Sequence, residues 1–255
     1  VALNVISGGR VNTSTLGSGN AGEILVTTGT LLLDGQEYAG STGIFSTANA
    51  FTDKDGVFIF STGNGGSINI RVAGDAQIVQ SASVGSNTFS SGDGGSVTLD
   101  VAGHLKLINS GLISATTWAS GNAGSVAVTA GMLTIDDKGK GGTAGIDSSS
   151  LSISGDTKLG NTGQVSVTVA GDALLTHGGI IQSSSQANFA TATDPKGQPV
   201  AGSGSLVGNI KLVVGGELRV EENAGLSTTT AGTSNSGNIG IQVGGNMTIV
   251  DALIA

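Results

Sequence analysis

Apolar residues alternate with small or polar ones in short runs that return along the whole chain: Ile68, Ile70 and Val72; Val97, Leu99 and Val101; Val165, Val167 and Val169; Ile210, Leu212 and Val214; Ile239, Ile241 and Val243. A period of two gives each run one inward face, so each is predicted to be a strand with a buried side. A small-residue corner follows, Ala73-Gly74, Ala102-Gly103, Ala170-Gly171 or Gly215-Gly216, where glycine permits a sharp bend. A second alternation comes next: Leu105 and Leu107, Leu133 and Ile135, Leu218 and Val220, Met247 and Ile249. A third, weaker strand carries one inward residue per copy: Val11, Val84, Ile113, Ile146, Ile181 and Leu226.

The copies keep a common punctuation. Gly22, Gly66, Gly95, Gly124, Gly163, Gly208 and Gly237 occupy one position of the unit and are separated by 44, 29, 29, 39, 45 and 29 residues. The base period is 29, which is a solenoid period: a unit of that size buries its apolar face by stacking on its neighbours. The expected fold class is all-β, a parallel β-helix solenoid of about eight coils with three short strands per coil. Coils at roughly 4.8 Å spacing make a rod on the order of 40 Å long. A ladder is expected where Asn20, Asn64, Asp93, Asn122, Asn161 and Asn235 share one corner, because Asn and Asp accept left-handed backbone geometry and bond locally or along a column. It breaks at Leu206.

Extra residues fall at corners: Ala50 to Phe60, a short stretch around Ser152-Ile153-Ser154-Gly155, Lys138 to Gly142, and Gln186 to Ser203. On a solenoid such insertions form loops, often on the binding face, so Phe58, Ile59, Phe60, Pro195 and Pro199 mark candidate interaction loops. No linker divides the chain, and residues 1–255 read as one domain, a segment of a longer polypeptide.

Composition narrows the function. Among 255 residues there are 45 glycines, two prolines, no cysteine and 3% aromatics, with a net charge of −8. Ten Lys and Arg against 18 acids provide no phosphate-binding footprint, so nucleic acid is not an expected partner. Without cysteine there is neither a disulfide nor a thiolate metal site. No apolar run approaches the roughly 18 residues of a spanning helix, and Val1 to Ile6 is too short and uncharged for a signal peptide. No membrane-spanning segment and no cofactor are expected.

The repeat, as in Gly111-Leu112-Ile113-Ser114-Ala115-Thr116-Thr117 running into Gly121-Asn122-Ala123-Gly124-Ser125-Val126-Ala127-Val128, resembles repeats of filamentous-haemagglutinin-like exoproteins. These are large surface or secreted proteins of the two-partner secretion type, and the cyanobacterial members look especially similar. The resemblance spans essentially the whole chain. It implies a right-handed β-helix, export through an outer-membrane secretion partner, an extracellular or cell-surface location, and work in adhesion, aggregation or contact-dependent competition.

The sharpest chemical constellation lies after the second strand, where Asp137, His177, Glu222 and Asp251 fall in one column with Asp136 and Glu221 beside them. Asp137, His177 and Glu222 are the candidate catalytic set of a polysaccharide-degrading β-helix enzyme, because carboxyls two coils apart approach the separation used by inverting glycosidases. The same residues, or Asp53 and Asp55 in a stretch resembling the start of a calcium loop, are the candidate metal ligands. Against both stands the preference of turns for acidic residues and the lack of an aromatic platform. Arg71 and Asp100 are expected to pair on the surface, His104 to contact Asp75, Phe89 to stack on Trp118, and the Ser/Thr runs after the third strand to be solvated turns with hydroxyl ladders. The resulting expectation is a non-enzymatic structural or adhesive shaft, with cell-surface or matrix components, or further copies of itself end to end, as partners.

Overall fold

A computed structural model of the chain describes residues 1–36, 38–52, 54–56, 58–59, 62–89, 91–138, 143–152, 159–187, 206–230 and 235–255. Phe60, Pro195, Pro199 and Asp53 lie outside the described residues. Every regular element among those described is a β-strand, and none is a helix long and apolar enough to cross a membrane.

The first alternation gives Ile24–Thr28, Ile68–Val72, Val165–Val169, Ile210–Val214 and Ile239–Val243, together with the leading halves of Val97–Ile108 and Val126–Asp136. These stack in parallel with their inward residues superposed: Ile24 on Ile68, Ile68 on Val97, Val97 on Val126, Val126 on Val165, Val165 on Ile210 and Ile210 on Ile239. Val97, Val126 and Val165 therefore form one file, and all three are buried.

The second alternation supplies Ala2–Ile6, Thr30–Asp34, Ala76–Val79, Ala173–Thr176, Leu218–Glu221 and Met247–Val250, joined by the trailing halves of the two long strands. The bend between the first and second alternations is softer than three separate strands per winding would require. Val97–Ile108 and Val126–Asp136 run through it unbroken, with a register shift between Val101 and His104, and the two stacks belong to one 13-stranded sheet. A bulge turns the chain there without ending the ladder.

The third alternation builds a separate eight-stranded parallel sheet. Its inward file runs Val11, Ile44, Val84, Ile113, Ile146, Ile181, Leu226 and Ile254. From Ile44 to Leu226 every member is fully buried. The two sheets close on one continuous aliphatic core, the arrangement expected when parallel strands are covered on their inner face.

Beside the third sheet, the Ser/Thr runs are solvated only in part: Thr13 and Thr229 are exposed, whereas Thr88, Thr116, Thr117 and Ser184 are buried, and hydroxyls meet across windings at Thr13–Ser46 and Thr229–Ser184. Ser46, Ser86, Ser148, Ser183 and Thr228 are buried. The hydroxyls of Ser46, Ser148 and Ser183 donate to the carbonyls of Gly22, Gly124 and Gly163 at 2.6, 2.5 and 2.8 Å, and that of Ser86 donates to the Gly66 carbonyl. Each ties one winding to the anchor glycine of the winding before it. The glycines themselves are fixed by close approach: a Cβ at Gly66, Gly95, Gly124, Gly163, Gly208 or Gly237 would stand 1.9–2.1 Å from the carbonyl oxygen of the previous anchor.

The insertion after Ala50 contains an antiparallel pair, Phe51–Thr52 with Phe58–Ile59. Ser150–Ser152 and Ser185–Ala187 pair in parallel where two further insertions leave the stack.

Candidate functional site

The corner after the second strand is built from left-handed backbone. Gln80, Asn109, His177, Glu222 and Asp251 have φ of 53°, 51°, 47°, 55° and 50°, a region where Asn and Asp are tolerated best among residues with a Cβ. The recurrence of polar residues in this column thus answers a backbone demand before any chemical one. In the winding of Asp137 the left-handed position moves to Lys138, with φ 54°, at the start of the extra residues there.

The expected triad does not converge as expected. Asp137 is buried, and its Oδ1 accepts from the Ser110 amide at 3.0 Å. The carboxylate that faces His177 is its neighbour Asp136, whose Oδ1 lies 3.1 Å from Nδ1 of the ring. On the other side, Glu222 Oε2 lies 2.9 Å from Nε2 and accepts from the Thr176 hydroxyl at 2.6 Å. His177 consequently bridges carboxylates from two other windings. A neutral imidazole has only one N–H, so both contacts are hydrogen bonds donated by the ring only when it carries two protons. The neighbouring pair, Arg219 Nη2 to Glu221 Oε2 at 2.7 Å, neutralises a further acid. Among the described residues no group of three or more His, Asp or Glu side chains is placed to hold a metal ion, and Asp55 is paired with Lys54 at 2.8 Å.

Elsewhere the columns follow the sequence more closely. His104 takes the Asp75 carboxylate on its backbone amide at 2.8 Å, while its Nε2 contacts the Thr134 hydroxyl at 2.8 Å. Burial, reinforced by Lys106 and opposed by Asp75, holds the His104 ring below the usual histidine range. Phe89 and Trp118 stack with centroids 5.7 Å apart and planes 9° off parallel. Arg71 and Asp100 are register neighbours, yet the described residues show no ion pair between them. Phe58 and Ile59 form a strand of the inserted hairpin.

Among the described residues, surface grooves accompany these columns, and a pair of them bears on function. The larger, of about 290 Å³, lies over the second strands between His104, Met132, Asp172, Glu217 and Arg219. Several of its polar groups are committed within the fold: Asp172 Oδ1 accepts the Glu217 amide at 2.8 Å, His104 Nε2 contacts the Thr134 hydroxyl, and Arg219 holds Glu221. The smaller, of about 240 Å³, lies over the third sheet between Arg10, Phe45 and Phe89.

One buried acid escaped the sequence reading. Asp147 follows the inward Ile146 and would ordinarily face solvent, but it is buried. Desolvation pushes its carboxyl up to about 6, against hydrogen bonds from Ser149 and Gln182. The run Ser148-Ser149-Ser150 immediately after it is the only local signal that this corner turns inward.

The chain matches no protein-family model, no curated protein and no solved structure. The class is accordingly defined by the architecture, an all-β protein of parallel strands stacked in sheets.

Proposed function

We propose that the chain forms a right-handed parallel β-helix of about eight coils on a 29-residue base period, serving as a structural and adhesive shaft segment of a secreted or cell-surface filamentous exoprotein. The observation that carries this reading is continuity. Side-chain rungs link successive windings at sequence separations of 44, 29, 29, 39, 45 and 29 residues, so insertions leave the stack without breaking its register. A stack of this kind is stiff along its axis because backbone hydrogen bonds run along it, while the inserted loops provide variable contact surface. Export through an outer-membrane partner, and cell-surface or matrix components as ligands, follow from the resemblance of the repeats.

End-to-end association of copies, through pairing of strand edges, is part of the proposal. Negative-stain microscopy combined with light scattering tests it. Rods with a single-copy length on the order of 40 Å, growing in whole multiples as concentration rises, are expected. Particles that are not elongated overturn the shaft; rods that remain single at high concentration overturn the stacking.

A further inference from the structure

We infer that the groove over the third sheet is a binding site for an anionic saccharide, read by Arg10, Asn12 and Asn87 against the aromatic walls of Phe45 and Phe89. The inference goes beyond the shaft reading and does not depend on it.

The groove encloses about 240 Å³, below the roughly 300–1,000 Å³ of clefts for drug-sized ligands. It has room for about one ring at a time. Its polar groups are sorted by what the fold leaves over. Asn87 Oδ1 accepts three hydrogen bonds, from Ser114 Oγ at 3.0 Å and from the amide and hydroxyl of Thr116 at 2.9 Å each. Asn12 Oδ1 accepts from the Ser14 amide at 2.9 Å and from the Ser14 hydroxyl. With both oxygens engaged in holding the corner, the amide nitrogens are the groups that remain, and those are donors.

Arg10 adds the charge. Its Nε donates to the Ser41 carbonyl at 2.8 Å, which anchors the guanidinium at the groove. No carboxylate among the described residues pairs with it, and none lines the groove. In a chain of net charge −8, a concavity with a free guanidinium and no acid selects a ligand rich in acceptors and carrying negative charge.

The aromatic contribution distinguishes a saccharide from a bare anion. Phe45 sits in register with Asn12, and Phe89 is held from behind by its stack on Trp118, so the Phe89 ring is braced before a ligand arrives. A rigid apolar wall facing donors matches the amphipathic character of a sugar ring, with C–H groups on its face and oxygens around its edge. Preset side chains also reduce the ordering cost of binding.

Isothermal calorimetry on the full chain with trigalacturonate, its methyl ester and acetate tests the site. Saturable binding of trigalacturonate is expected, with the ester at least about tenfold weaker, the loss associated with one charge-assisted contact. Arg10→Met should weaken trigalacturonate by a similar factor without changing the melting temperature, whereas Arg71→Met, on the first stack, should leave binding unaltered. Absence of saturable binding at 10 mM trigalacturonate, equal affinity for the ester, equal affinity for acetate, or undiminished binding by the Arg10 variant would each overturn the assignment. Any of these results leaves the rod, and its test by microscopy, unaffected.

Discussion

The backbone amide of Asn122 donates to the side-chain oxygen of Asp93 at 2.8 Å, and the Asn122 side-chain nitrogen reaches the same oxygen at 2.9 Å. The rung is one of a series. Asn64 caps the amide of Asp93, Asn20 that of Asn64, Asn122 that of Asn161, and Asn161 that of Leu206, all at 2.8–3.0 Å. Asn20, Asn64, Asp93, Asn122 and Asn161 each satisfy a backbone donor one winding further on; Leu206 receives the last of these bonds and passes nothing onward to Asn235, and the next rung runs from the neighbouring Asn209 to the Asn238 amide at 2.8 Å.

Asp93→Ala should remove one such rung and lower stability by about 1 kcal/mol, the net worth of an ordinary hydrogen bond. Asp93→Asn retains an oxygen in the same place and should be close to neutral. Urea unfolding midpoints of the two variants check the contrast; equal losses would show that the carboxylate's charge, not its acceptor, matters.

The anchor glycines are expected to be unequal. A Cβ at Gly124 would lie 1.9 Å from the Gly95 carbonyl oxygen, whereas one at Gly22 would meet nothing closer than the Thr13 Cβ at 3.3 Å. Gly124→Ala must push two windings apart and should cost several kcal/mol or abolish soluble expression, since clashes of this kind belong to the severe class of substitutions. Gly22→Ala should remain within about 1 kcal/mol of the parent. Thermal melts of the pair decide the matter.

Asp147 predicts an unusual pH dependence. Its carboxyl titrates near 6 in the folded chain against 3.8 ordinarily, so between those values the folded state retains a proton that the unfolded state has released. Its contribution to stability is fully present below pH 3.8, declines as pH rises through about 6, and is flat above that, an excursion of roughly 3 kcal/mol. Asp147→Asn should raise stability at pH 7.5 and remove this component of the slope. Chemical denaturation at pH 4.5, 6 and 7.5 checks it.

His177 is half exposed, as is Glu222, and ion pairs in that setting contribute under about 1 kcal/mol. His177→Ala should shift the unfolding midpoint only slightly, with the difference shrinking further in 0.5 M salt. Titration with Zn²⁺ or Ca²⁺ should give no binding isotherm up to millimolar metal.

Period and spacing carried most of the architecture into the sequence. Alternation at Val97, Leu99 and Val101 marks an inward face, and the recurrence of Gly95 every 29 residues, or 29 plus an insertion, marks the stacking. Those signals are readable because a column imposes the same demand on each of its members. Single-site departures carry no such redundancy. Ser46 and Ser148 look like turn residues, and only the carbonyl of the preceding anchor glycine makes them internal. Asp136 and Asp137 are adjacent acids in sequence, yet the Ser110 amide binds the buried Asp137 while Asp136 accepts the Lys138 amide and faces His177. The groove at Arg10 likewise combines windings 33 and 77 residues apart at Phe45 and Asn87, measured from Asn12 and Arg10, and neither residue is periodic.

Because the rungs that bind one winding to the next are confined to neighbours, the molecule is also a spool. Tension applied to its two ends would peel windings off in turn, each releasing slack set by its own residue count: about 100 Å for a separation of 29 residues and about 150 Å for one of 45, at 3.3–3.6 Å per extended residue. The insertions would then act as reserves of length, lending the thread an uneven pay-out whose order along the chain is written into their positions.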